Sequence, residues 1–244
     1  MSGVSRRQVA RGLAAGAAGL ALGAFGGESR RFTPGASAQA AFDFVAGTPG
    51  CGRIALLFNV GASYEPATDM LSTLQGYGVP GTFFIMGWLA EQNPGLVQQI
   101  AATGFPVGSH GYLPPELTNR SDDDVAWDLG AAASALQSAL GYSPGPWFTP
   151  FAGASDDRVR SIAASSGLVT VGWGIDSNDW SPDATADSIY NQVVGGAYDG
   201  AIVELHMDAQ RSVDSTAGAM PSIIEDLSAQ GYTFVTVPDM VAGC

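Results

Sequence analysis

IALLFNVGAS, residues 54–63, decides how the rest of the chain is read. Four apolar residues and Phe58 lead into Asn59, Val60 and Gly61. A short apolar run stopped by a glycine turn reads as a buried strand. In α/β enzymes the end of such a strand is where reactive carboxylates are presented. Here an amide and a valine occupy those places.

Working outward, the same kind of run recurs. GTFFIMG (81–87), FPVGSH (105–110), PWFTPF (146–151), LVTVGWGI (168–175), AIVELH (201–206) and YTFVTV (232–237) make seven strands in all. Helical patterns separate them. Residues 65–78 place Met70, Leu71, Leu74 and Tyr77 on one face, with Gly78 as a stop. Residues 93–104 open with Asn93 as a cap and Pro94 in the first turn. Residues 121–141 start at Ser121, followed by three aspartates suited to the positive end of the helix dipole. Their apolar face is Val125, Leu129, Ala132, Leu136 and Leu140. Residues 155–167, 185–196 and 220–231 complete the set, the last with Met220, Ile223, Ile224 and Leu227 on one face. Strands alternating with helices predict a parallel sheet in a single α/β domain, a distorted (β/α) barrel of about seven strands.

Composition agrees with one large domain. The 244 residues are 46% hydrophobic and 14% charged, enough for a substantial core. No stretch reaches the ~18 consecutive apolar residues of a membrane span. Residues 1–40 read as a twin-arginine export signal. Arg6 and Arg7 are paired, a run of small apolar residues covers 12–25, and small-x-small cleavage sites follow Ala38 or Ala40. The domain then spans 41–244, and a membrane contact arises only through an uncleaved signal.

Charge narrows the partners. The net charge is −13, and loss of the signal, with five arginines and Glu28, takes it to −17. All ten basic residues are arginine. Nucleic acid is repelled by such a chain, and lysine Schiff-base chemistry is excluded. Neutral or cationic partners fit better. Cys51 and Cys244 bracket nearly the whole domain, and in an exported protein they predict a disulfide joining its two ends.

Just past the strand ends lie Asn59, His110, Thr149, Phe151, Asp176, Asp179, Trp180 and His206. Both histidines of the chain fall there, which favours a site role over a structural one.

The order LLFNVG, GSHGYLPPEL, WFTPFAG, IDSNDW and IVELH resembles the five motifs of the polysaccharide deacetylases, the NodB-homology domain of carbohydrate esterase family 4. The resemblance runs from about Cys51 to Val241. It implies a distorted barrel that removes acetyl groups from N-acetylated sugars, a hydrolase on non-peptide carbon–nitrogen bonds. It also implies a divalent metal held by one aspartate and two histidines, an aspartate base, and a late histidine acid with an acidic partner.

Carried over by position, the motifs are degraded. The base falls on Asn59, which takes no proton near neutral pH. The metal aspartate falls on Val60, the second metal histidine on Pro114, and the third motif's arginine on Thr149. His110 alone matches a metal ligand. The DSNDW motif is intact, with Asp176 or Asp179 orienting His206. Glu204 stands where the family has leucine, in the pocket that would hold the acetyl methyl group.

Three readings follow. The first is a glycan-binding protein on a silenced barrel, with Asn59 in the groove and Tyr112, Phe151 and Trp180 stacking on sugar rings. Core packing is the alternative for those rings, and exposure decides between the two. The second is an active hydrolase rebuilt around Glu204, His206 and His110, with zinc bound only in that case. Within it, Glu204 is the base or, with Asp176 or Asp179, half of a glycosidase carboxylate pair at roughly 5–10 Å. The structural alternative for Glu204 is a strand-end residue facing solvent or an arginine. The third, ranked last, is a standard deacetylase. The expected partner throughout is a glycan or cell-wall polysaccharide, met outside the cell or in the envelope.

Overall fold

The computed structural model describes residues 42–244, so the expected export segment lies outside the described residues. The sheet is built from β1 (Arg53–Val60), β2 (Thr82–Ile85), β3 (Val107–Ser109), β4 (Trp147–Phe148), β5 (Val169–Thr170), β6 (Ile175–Asp176), β7 (Ala201–His206) and β8 (Thr233–Val235). Between them run α1 (Asp69–Tyr77), α2 (Gly87–Gln92), α3 (Pro94–Ala102), α4 (Asp122–Leu140), α5 (Asp157–Ser165), α6 (Ala186–Gly196) and α7 (Ala217–Ala229), with α8 (Val237–Ala242) last. Every ladder between these strands is parallel, in the order β5-β4-β3-β2-β1-β7-β6, with β8 beside β1. This is the distorted (β/α) barrel that the alternation predicts, its seven expected strands appearing as eight.

One predicted strand is broken in two. LVTVGWGI yields β5, which pairs with β4, and β6, which pairs with β7. Gly172-Trp173-Gly174 separates them, and glycine gives a strand neither stiffness nor a side chain to pack. Phe44 and Ala46 bridge to Val171 and Ala201 beside the break.

The period of two along each strand sorts side chains between two layers. On β1, Ile54, Leu56, Phe58 and Val60 pack into the apolar layer beneath the helices. Ala55 and Leu57 face the barrel interior with Phe84, Val171, Ile202, Val237 and Met240. Asn59 continues that interior row. On β7, Val203 and Leu205 join the helix layer, while Ile202 lies inside. Glu204 and His206 continue the inner row and converge with Asn59, which lies opposite His206 in the ladder.

The predicted caps form. Asn93 accepts from the Leu96 amide, and Ser121 from that of Asp124. Tyr77 departs from its predicted apolar face. It is exposed and its hydroxyl donates to Glu225. The run YTFVTV stops early because Thr236 caps α8, accepting from the Asp239 amide. Cys51 and Cys244 are disulfide-bonded, with Cα atoms 6.3 Å apart.

Candidate functional site

The site grows from the ends of β1 and β7. His206 Nδ1 donates to Asp179 Oδ1 at 2.8 Å, and its Nε2 lies 3.1 Å from Glu204 Oε1. Glu204 Oε1 also accepts from Asn59 Nδ2 at 2.9 Å. Asp179 Oδ2 accepts from the His206 amide at 2.8 Å and from the Thr216 hydroxyl at 2.9 Å. The result is one continuous chain, Asn59–Glu204–His206–Asp179–Thr216.

Of these residues, only His206 reaches solvent to any extent, with 17% of its side chain exposed. Burial alone would lower its pKa, but Glu204 and Asp179 outweigh that and hold the imidazole protonated up to about 10. Burial drives Glu204 up to about 8, against the pull of His206 and with the repulsion of Asp179 and Asp176. The expectation of a strand-end glutamate facing solvent or an arginine is therefore wrong. The inward phase of β7 buries Glu204, and its partners are Asn59 and His206.

His110 sits apart from this chain. Its Nδ1 is 2.8 Å from the Thr149 carbonyl, and its ring centroid is 6.1 Å from that of Phe151. Burial lowers its pKa to about 3, although the Thr149 contact opposes this, so the ring is neutral.

The two aspartates of DSNDW separate into different tasks. Asp179 orients His206. Asp176 Oδ1 accepts from the Asn178 amide and from the Trp180 indole, at 2.8 and 3.3 Å. It thus pins the turn and the rim tryptophan. Asn178 takes the left-handed conformation there, which asparagine tolerates. Trp180 is 54% exposed, so it meets the condition for a stacking surface. Tyr112 and Phe151 are half-buried. The Tyr112 ring meets Trp127 edge-on at 5.4 Å, and its hydroxyl donates to Glu91.

Alternation in ELHMD points Glu204, His206 and Asp208 to one side only if the strand persists to Asp208, but β7 ends at His206. The Asp208 carboxylate turns to the loop after β1 and accepts from the amides of Gly61 and Ser63. Gly61, with φ of 151°, lies against Met86, where a Cβ would come within 2.3 Å. Two anchors carried no signal in the sequence. Thr216 ends a π-helical turn, Ser212–Thr216, that leads into α7 and carries no motif. Asp128 sits on the buried face of α4, where it accepts from the amides of Tyr112 and Leu113 and pairs with Arg120.

The donor set does not fit the family's metal. Val60 is locked in the apolar layer and Pro114 has no ligand atom. Among the described residues, Asp179, Glu204 and His206 bring ligand atoms within 4.8 Å of one another, without His110. Yet both nitrogens of His206 face carboxylates, and Asp179 is saturated by three donors. That leaves Glu204 Oε2 as the one unpartnered ligand atom of the three residues, too few for a metal. The arrangement also rules against a glycosidase pair of Glu204 and Asp179, since the imidazole lies between them and Asp179 is fully buried.

Residues 46–171 match the polysaccharide deacetylase family. The peptidoglycan-N-acetylglucosamine deacetylase PgdA of Listeria monocytogenes is 34% identical over 188 residues. The match covers 77% of this chain and 38% of that relative, so the chain spans well under half of the relative's length. Among solved structures, the Bc1960 peptidoglycan N-acetylglucosamine deacetylase superposes with a TM-score of 0.78 at 27% identity, covering 86% of this chain and 98% of its own. BA3943, described as a CE4 family pseudoenzyme from Bacillus anthracis, superposes with a TM-score of 0.73 at 26% identity, covering 80% of this chain and 67% of its own. A mutant of BA3943 is described as having restored enzymatic activity. By a match over half of its length and by the shared barrel, the chain belongs to the polysaccharide deacetylase family.

Proposed function

We propose that the chain is an exported, glycan-binding member of this family in which metal-dependent N-deacetylation has lapsed. One observation carries the reading. His206 is closed into a chain between Glu204 and Asp179, while two of the three metal positions hold Val60 and Pro114. Catalytic zinc sites use three protein ligands and an open position, and neither is provided here. The remaining acid is also detuned. Held near 10, His206 is poorly matched to proton transfer at neutral pH. The exposed Trp180, steadied by Asp176, supplies a face on which a sugar ring can stack. Two of the relatives named above are peptidoglycan N-acetylglucosamine deacetylases, which supports a wall glycan as the partner. The twin-arginine segment supports export to the envelope.

The test combines metal content with binding. The purified chain is incubated with excess zinc, desalted and assayed for metal, then sedimented with insoluble peptidoglycan. We expect no retained zinc and co-sedimentation that Trp180→Ala weakens several-fold. One zinc retained per chain would overturn the reading.

A second reading rests on Glu204. A carboxyl group held near 8 is suited to general acid–base work. Release of acetate from an N-acetylated oligosaccharide, abolished by Glu204→Gln, would select this rebuilt hydrolase instead.

A further inference from the structure

Two atoms in the floor of the site are left over. Glu204 Oε2 and Asn59 Oδ1 are both buried and have no protein hydrogen-bond partner. Buried polar atoms in folded proteins are almost always satisfied, so such a pair marks a place where something else binds. The Asn59 orientation follows from its amide donating to Glu204 Oε1, which leaves Oδ1 as the free atom. Asn59 Oδ1 is an acceptor, Glu204 Oε2 becomes one when the carboxyl ionises, and together they suit a cationic donor.

We propose, resting on the glycan-binding reading, that this floor selects glycans with a free amino group, whose ammonium is held between Glu204 Oε2 and Asn59 Oδ1. The protein does not supply that donor itself. The chain has no lysine, and the five described arginines are engaged elsewhere. Both nitrogens of His206 are taken. Burial keeps the Glu204 proton on in the free site, and a ligand cation set against Oε2 would favour its ionised form, giving Glu204 a partner of its own beside the pair of His206 and Asp179. The chain's net charge of −13 favours the approach of cations generally.

Size points the same way. Asn59 and Glu204 are almost fully buried, so the floor opens only to a small group and only with a shift of these side chains. An ammonium is small and donates up to three hydrogen bonds. An acetamido group offers one N–H and brings a bulky acyl group with it. His206 is the partly exposed member of the chain, and the amino group would enter beside it while the ring stacks on Trp180. The reaction class that supplies such a ligand is amide hydrolysis of an N-acetylated glycan. Water cleaves the C–N bond, acetate leaves, and the nitrogen stays on the sugar. A silenced deacetylase barrel would then read the product of an active one.

The test is calorimetric titration with β-1,4-linked glucosamine tetrasaccharide and with its fully N-acetylated counterpart. A sedimentation arm uses insoluble peptidoglycan before and after enzymatic N-deacetylation. We expect at least tenfold preference for the amino form in the soluble pair, in the wall polymer, or in both, and the arms tell which glycan is the source. Glu204→Gln keeps the shape and removes the charge, and it should abolish the preference. Trp180→Ala should weaken both forms and leave their ratio unchanged, so a loss of ratio traces to the floor and not to the platform. Equal affinity for the two forms in both arms would overturn the inference, with the floor holding only water, and leave glycan binding standing. No binding to any probe would sink the glycan reading itself.

Discussion

His206 has a carboxylate on each side, and its protonation therefore reports on the whole site. Its pKa stands at about 10 in the folded chain against 6.5 ordinarily. The folded state keeps a proton that the unfolded state releases near 6.5, so this stabilisation is complete below about pH 6.5 and lost as pH climbs toward 10. Glu204 adds to the same slope, because the unfolded chain ionises it near 4.5 while the folded chain holds its proton to about 8. The charges acting on the imidazole are Glu204 from β7, Asp179 from the turn after β6 and, more weakly, Asp208 beyond β7, while Asp176 at the end of β6 acts on Glu204. We expect Tm to fall steadily between about pH 6.5 and 10, and Asp179→Asn to flatten the fall. A Tm unchanged across that window in the parent protein would mean His206 is not held as an imidazolium. On the acid side His110 stays neutral in the fold, so its contribution is lost as pH falls from 6.5 toward about 3. Much of this site was legible beforehand. Alternation placed Glu204 and His206 on one side of β7. Asp176 and Asp179 could not be told apart, because which of two aspartates in a five-residue turn reaches inward depends on the left-handed Asn178. Which way Asn59 would face, and hence the leftover acceptors, needed coordinates.

Among the elements, α4 has the least expected duty. Its Asp128 is fully buried and holds the loop after β3 by the amides of Tyr112 and Leu113. Arg120 neutralises it at 2.8 Å. Burial raises the Asp128 pKa, and these partners oppose the rise. Removing one member of a buried pair strands the other, at a cost of about 3–5 kcal/mol. Asp128→Ala should lower the urea unfolding free energy by about that much and speed hydrogen exchange at the Tyr112 and Leu113 amides. A loss below about 1 kcal/mol would show that water replaces the carboxylate. Sequence periodicity found α4, its Ser121 cap and its apolar face. It passed over Asp128, since one acid beside Leu129 in a helical pattern carries no mark of burial. The short α2 and α8 were missed for a related reason. Each is six residues long, too short for a period of 3.6 to show.

Across the whole molecule, the disulfide joins residues 193 apart in sequence. Arg53 Nη1 donates to the Gly243 carbonyl, and Asp199 accepts from the amides of Gly50 and Arg53, so the same corner is tied by several bonds. Closing so long a loop in the unfolded chain removes entropy worth about 3–5 kcal/mol. A Cys51→Ser, Cys244→Ser double variant should lose about that much stability, read as a lower urea midpoint with little change in slope. Reduction of the parent protein should reproduce it, and failure of both to shift the midpoint would remove the bond from the stability account. The alternation of strands and helices made the barrel readable, because each parallel strand needs a crossover of its own. The break in the fifth strand was not readable, since a single segment serving two ladders still looks like one run of apolar residues.

That break also bears on how copies of the protein behave when crowded. The segment from Val169 to Asp176 pairs at one end with β4 and at the other with β7, and Phe44 covers the step between them. A sheet that ends in a long bare strand is a template on which a second molecule can add its own backbone. Here the chain that would have formed such an edge is split across both sides of the opening, in pieces two residues long. At this opening a second molecule therefore meets only two-residue ladders, too short to template a strand of its own.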